Sequence, residues 1–182
     1  MTFIDYHKIK FFHSFHVAQA TQFLTIIFTI TLTGMLDLYN LPTWYTAMPY
    51  VFCAVTYAGV MAANMIFKDY IQHVEYISIK YKLTRESQFG SHAAGINRMC
   101  TWLRRWMVYG LTGSFAINAN IMIVLLIAYI EYDFTYVPEH WLDFLYNFGV
   151  GYCVFVVIVT LIFGIIKEIA VKRMRKMLNR RH

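Results

Sequence analysis

Charge is what this chain has least of: Asp, Glu, Lys and Arg together make up 14% of its residues. Four long stretches are almost free of it, and each is a run of roughly 20 apolar residues, the length a membrane-crossing helix needs. Acidic residues are missing from the interior of all four runs; Asp37 and Glu168 stand only at their ends. A proton- or sodium-coupled transporter usually carries a carboxylate within the bilayer. Secondary transport by this chain alone is therefore not expected, and small multidrug exporters, which share the four-span size, look different for this reason. Histidine is also missing from the runs, beyond His16 at an edge, which argues against haem or copper in the bundle; no cofactor or metal is expected. Of the cysteines, Cys53 and Cys153 fall inside runs and Cys100 in a basic interval, so no external disulfide framework is available. Four spans and short connectors leave no room for a soluble catalytic domain, and the chain is not expected to be an enzyme.

What is present is 59% hydrophobic and 18% aromatic, the composition of a polytopic membrane protein. We expect an all-α integral membrane protein with transmembrane helices at about 17–38, 49–67, 106–130 and 144–166. All 16 Lys and Arg fall in three places: Lys8 and Lys10, the interval 68–105, and the tail 167–182. The outer segments hold Asp37, Glu131, Asp133, Glu139 and Asp143 instead. Under the positive-inside rule both termini and the central interval are cytoplasmic. The net charge of +6 would suggest nucleic acid in a soluble chain. Here topology and anionic lipid headgroups account for it, and nucleic acid is not an expected partner. The first run is too long for a signal-peptide core and lacks a small-residue cleavage site, so it reads as a retained span. With no Arg- and Ser-rich leader, the expected location is a bacterial inner membrane.

The interval 68–105 organises the chain. Phe67, Ile71, Val74, Ile77 and Tyr81 keep a helical spacing, so span 2 should continue into the cytoplasm. The stretch 84–91 breaks the pattern with Gly90, and Ser91 is placed to cap the next helix. Ile96, Met99, Cys100, Leu103 and Met107 resume the spacing and lead into span 3. The expectation is a cytoplasmic helical hairpin projecting roughly 20 Å, at 1.5 Å per residue. Its apolar stripes should face one another or another subunit, and a cytoplasmic protein partner would dock there. Ahead of span 1, residues 1–16 set Ile4, Phe11, Phe12 and Phe15 among His7, Lys8, Lys10 and His13, which suits a short helix lying in the interface. Between spans 1 and 2, Pro42 marks the turn and Pro49 the expected start of span 2. The connector 131–143, with Tyr132, Phe134, Tyr136, Pro138 and Trp141, reads as a cap over the bundle. The tail continues helically with Met174, Met177 and Leu178, and its Lys172, Arg173, Arg175 and Lys176 should meet anionic headgroups.

Within the spans, function has to come from polar and small residues. Ala18, Thr21, Gln22, Thr25, Thr29 and Thr33 share one face of span 1, and Asn118 and Asn120 are the most polar residues deep in span 3. An unsatisfied amide there is costly, so each needs a partner or water. Small residues at helical spacing let backbones approach closely: Ala54, Ala58 and Ala62 in span 2; Gly110 and Ser114 in span 3; Gly149, Cys153 and Gly164 in span 4. Two readings follow. In the first, the chain forms a homo-oligomeric channel- or pore-like assembly, a membrane-perturbing effector for instance, with Thr25, Thr29, Asn118 and Asn120 lining a hydrated path. In the second, it is a structural or accessory subunit of a larger membrane complex, and the same residues are buried contacts.

Two short strings resemble known motifs. Gly149-Val150-Gly151-Tyr152 is similar to part of a potassium filter, but filters are re-entrant loops after a pore helix, and this string lies inside a continuous span. Arg85 and His92 resemble the loose Arg-x4–6-His pattern of HEPN-type ribonucleases. That resemblance covers eight residues of 182, without the surrounding helical domain, and it places the chain in no family.

Overall fold

A computed structural model describes residues 1–39, 41–132 and 137–178. Every regular element among them is a helix: α1 (Phe3–Leu38), α2 (Thr43–Lys80), the single turn α3 (Glu86–Phe89), α4 (His92–Tyr132) and α5 (Glu139–Leu178). The four long ones are each long and apolar enough to cross a membrane. All run on past the apolar stretch at the basic end of the bundle, to lengths of 36, 38, 41 and 40 residues.

Local chemistry sets the helix ends. Thr2 and Asp5 form a capping box at the start of α1: Asp5 N–H donates to Thr2 Oγ1 (3.1 Å) and Thr2 N–H to Asp5 Oδ2 (3.0 Å), satisfying two donors that a helix start leaves open. α1 ends at Tyr39, whose hydroxyl donates to the Leu125 carbonyl (2.6 Å) and ties that corner to α4. α2 begins directly after Pro42, so Pro49 sits inside the helix and does not open it. The missing N–H there leaves the Tyr45 carbonyl without its usual donor. α2 stops where Lys82 takes a positive φ of 54° and Leu83 N–H turns back to the Ser78 carbonyl (2.8 Å). Gly90, at φ 56°, makes the second reversal, a backbone conformation that glycine adopts without strain. α4 then starts at His92.

α2 and α4 touch each other and form the centre; α1 lies against both, and α5 packs mainly on α2. The α4–α5 contact is the thinnest of the five among the long helices. The interior is two apolar cores separated by a polar belt. The core at the acidic end includes Leu32, Leu36, Phe52, Ile121, Leu125 and Leu145. The core at the basic end includes Phe67, Ile71, Val74 and Ile77 of α2 with Ile96, Met99, Leu103 and Met107 of α4.

The N-terminal segment differs from its expected place. Residues 3–16 do not form a separate helix lying flat; they are the first turns of α1, with Ile4 and Phe11 in the basic-end core. The phenyl rings of Phe11 and Phe67 stack at 3.5 Å. No glycine or proline interrupts the chain before Gly34, and an apolar stripe that suits a lipid surface suits the flank of α2 and α4 equally. This core therefore takes residues from all five helices, including Phe89 of α3 and Val171 and Met174 of α5, and not only from two stripes facing each other. Of the residues assigned to the outer cap, Asp133, Phe134 and Tyr136 lie outside the described residues, as do the side chains of Tyr132, Met177 and Leu178.

Candidate functional site

The belt between the two cores is where the polar residues of the spans converge. Gln22, Thr25 and Thr29 of α1, Thr56 of α2, and Ser114 and Asn118 of α4 are all buried. The Thr25 hydroxyl donates to the Thr21 carbonyl (2.9 Å) and that of Thr29 to the Thr25 carbonyl (2.8 Å). This back-bonding satisfies a hydroxyl donor without a second helix. Asn118 Nδ2 crosses from α4 to donate to Thr29 Oγ1 (3.2 Å). Gln22 Nε2 crosses from α1 to the Cys53 carbonyl (3.3 Å) and Sγ (3.0 Å) on α2. Tyr152 of α5 donates to the Gly110 carbonyl of α4 (2.6 Å), and its hydroxyl lies 3.1 Å from Thr56 Oγ1 on α2. Each long helix is thus stitched to a neighbour within the belt. Interhelical hydrogen bonds of this kind contribute on the order of 0.6–2 kcal/mol each in a membrane. Gln22 Oε1, Ser114 Oγ and Asn118 Oδ1 are sealed from solvent with no hydrogen-bond partner among the described residues.

The four polar residues singled out from the sequence are divided by the fold. Thr25, Thr29 and Asn118 are in the belt. Asn120, two residues further and so on another side of α4, is exposed. Its Nδ2 donates to the Ala116 carbonyl (2.8 Å). It lines an open groove of about 640 Å³ between α4 and α5, walled by Ile117, Val124, Trp141, Phe144 and Phe148.

The small residues divide too. Gly149 is the closest approach: a Cβ there would lie 1.8 Å from Cζ of the buried Phe52 ring. A Cβ at Gly59 would lie 2.8 Å from Val156 Cγ1, so α2 and α5 meet across these two glycines. Gly110 and Ser114 are buried; Ala62 and Cys153 are half-buried. Ala54 and Ala58 are exposed, and Gly164 has open space where a Cβ would go. Ala54 and Ala58 face away from the chain's own interior, and Gly164 is half-buried.

At the basic end, scarce acids meet abundant cations. Lys8 Nζ and Glu75 Oε2 are 2.8 Å apart. Lys167 Nζ bonds Asp69 (2.5 Å) and Glu168 (2.7 Å), and His73 Nδ1 stands 3.4 Å from Asp69. The hydrogen bond from Lys167 holds the Asp69 carboxyl below the ordinary carboxylate range, and Asp69, then Glu168, raises the Lys167 ammonium. Sequence reading did not find these pairs. The signal available was only that acids are rare at an end crowded with lysines and arginines. The tail's Lys172, Arg173, Arg175 and Lys176 are all exposed, on the side of α5 opposite the buried Val171 and Met174. Arg85 is exposed ahead of α3 and the half-buried His92 opens α4. Among the described residues no group of three or more His, Cys, Asp or Glu could hold a metal ion.

His7 is buried beside Asn97 in the basic-end core, and burial lowers its imidazole pKa below the usual 6.5. The neighbouring Asn97 side chain works against the shift and nearby Arg104 adds to it. A depressed folded-state pKa means that the unfolded chain takes up the proton first as pH falls. This contribution to stability is then whole above about 6.5 and is lost on descending through the lowered value. The thermal stability of the wild type should fall as pH drops below about 6.5, and a His7→Leu variant should lose that slope. Asp69 and Glu168, also shifted down, titrate in a more acid window and do not confuse the readout.

These features define a class: an all-α bundle of four helices long and apolar enough to span a membrane, pinned by a polar belt. No family model matches the chain, and no characterised protein or solved structure was found to match it.

Proposed function

We propose that this chain is an accessory or structural subunit of a membrane complex, with four helices crossing the bilayer. The basic ends of α2 and α4 would form a cytoplasmic helical hairpin, and both termini would lie on that side, in a bacterial inner membrane. The observation that supports this reading best is the Asn118–Thr29 hydrogen bond, with Thr25 and Thr29 bonded back to their own helix. The Asn118 amide donor is spent in holding α4 to α1, and the Thr25 and Thr29 donors are spent within their own helix. Charge sorting supports the orientation, since a bundle with seven basic residues in its central interval alone would strand cations outside if reversed. The outward-facing Ala54 and Ala58 suit close approach by the helices of other chains, and the exposed α3 turn offers a cytoplasmic partner a contact.

The channel reading keeps one observation of its own. Asn120 lines the α4–α5 groove, and an amide in hydrocarbon needs a polar neighbour. In an oligomer, that groove could border a hydrated path between copies. Mass of the detergent-extracted particle with its subunit content separates the two. The accessory reading expects this chain among unlike chains at low copy number. A ring of identical copies that conducts ions after reconstitution would overturn it in favour of the channel.

A further inference from the structure

We propose that the groove between α1 and α2 at the basic end is a specific site for one anionic phospholipid. The groove holds about 320 Å³, with Phe11, Phe15, Phe67 and Ile71 along it. The stacked Phe11 and Phe67 rings, both buried in the core, floor the groove, and the exposed Phe12 and half-buried Phe15 give it an apolar rim of the kind an acyl chain covers. The polar side is one stripe of α2: Asn64, Lys68 and Gln72, each about 6 Å further along the helix at 1.5 Å per residue.

Two observations give this groove a ligand of stated chemistry. Asn64 is only 7% exposed, yet its amide lines the groove without a hydrogen-bond partner among the described residues. That amide is open to the groove and not among the sealed, unpartnered atoms; in a hydrocarbon surrounding it needs a polar neighbour, so what fills the groove must bring polar atoms one turn deeper than the lysine. Charge is the second. Glu75 at the far end is neutralised by Lys8 at 2.8 Å, which leaves the exposed Lys68 as the groove's uncompensated cation. A glycerophospholipid matches this order of groups. Its phosphate meets Lys68 and Gln72, an ester carbonyl accepts from Asn64 Nδ2, and an acyl chain runs over Phe15, Phe11 and Phe67. An anionic headgroup is preferred over a zwitterionic one, because a choline ammonium would sit beside Lys68. The tail's Lys172, Arg173, Arg175 and Lys176 differ in kind: they are exposed, and the groove that Arg175 borders with Tyr76, Ile77, Lys80 and Tyr81 has no buried polar side chain in its wall.

The site rests on the membrane placement proposed above, so the test has two stages. Cysteines introduced at the exposed Glu139 and Ser91 are first mapped with an impermeant thiol reagent in intact cells. Labelling at Glu139 alone supports the placement; labelling at Ser91 alone overturns it, and the lipid site with it. The full chain is then purified in detergent, exchanged with phosphatidylglycerol or phosphatidylcholine, and bound lipid is counted by native mass spectrometry. The wild type should retain one phosphatidylglycerol in preference to phosphatidylcholine. Lys68→Ala, a surface change that cannot unfold the bundle, should weaken retention about tenfold, the effect of one charged contact. Asn64→Leu should weaken it for both lipids, and Lys172→Ala with Lys176→Ala should leave the single tight lipid in place. Equal retention of the two lipids by wild type, or retention unchanged in Lys68→Ala and Asn64→Leu, would overturn the site while leaving the membrane placement standing. So would a particle whose groove is filled by a second copy of the chain, seen as a doubled mass without lipid.

Discussion

Gly149→Leu should detach α5 from α2. A Cβ at this position would lie 1.8 Å from Phe52 Cζ, well inside contact distance. The ring cannot swing away, because Phe52 is itself buried in the acidic-end core beside Leu145. Relief must come from moving a helix, which also pulls Tyr152 from the Gly110 carbonyl and from Thr56. Overpacking of this kind costs about 1–3 kcal/mol before lost hydrogen bonds are counted. That corresponds to a fall in Tm of about 2–12 °C for a chain of this size. Gly151→Leu is the matched control: it lies two residues away in the same helix, is exposed, and has nothing within 4 Å of where its Cβ would sit. Thermal unfolding of the two variants in one detergent gives the comparison. Equal Tm values would mean that α5 does not pack on α2 through Gly149.

Asn118→Phe and Asn120→Phe should behave oppositely, though the residues are two apart. Asn118 is fully buried and holds α4 to α1 through Thr29. A phenyl ring there has no room, so the variant should fail to extract as a folded particle. Asn118→Leu, closer in volume, removes the bond to Thr29 but also the unpartnered Oδ1, and should cost no more than about 1 kcal/mol. Asn120→Phe places a ring in the α4–α5 groove among Phe144, Phe148 and Trp141, and should fold with wild-type stability. The variants also separate the functional readings. A path lined by both amides requires ion flux in reconstituted bilayers that changes in Asn120→Phe while assembly survives. An accessory subunit gives no flux in wild type or variant, and only Asn118→Phe has a phenotype.

Helix number was legible because length and composition alone report it: a run of roughly 20 apolar residues has few other uses. The continuation of α2 to Lys80 was legible from Ile71, Val74 and Ile77, whose spacing stays helical after the charges begin. The N-terminal segment was not. Ile4, Phe11 and Phe15 make a stripe that says a surface will be covered without saying whether lipid or protein covers it. Only contact with Phe67 and its neighbours answers that. The paired acids Asp69 and Glu75 were silent for a related reason, since partners 98 and 67 residues away leave no local periodicity.

The sequence by itself determined the class: four long apolar helices, with every basic residue sorted away from two of the connectors. Periodicity and hydropathy are properties of one helix at a time, and one helix at a time is what a sequence displays. Tertiary structure decided what the polar and small residues do, because rotation of each helix about its axis depends on its neighbours. That rotation buried Asn118 and left Asn120 outside. It put Gly149 against Phe52 while turning Ala58 outward, and it set Asn64 unpaired at the side of a groove.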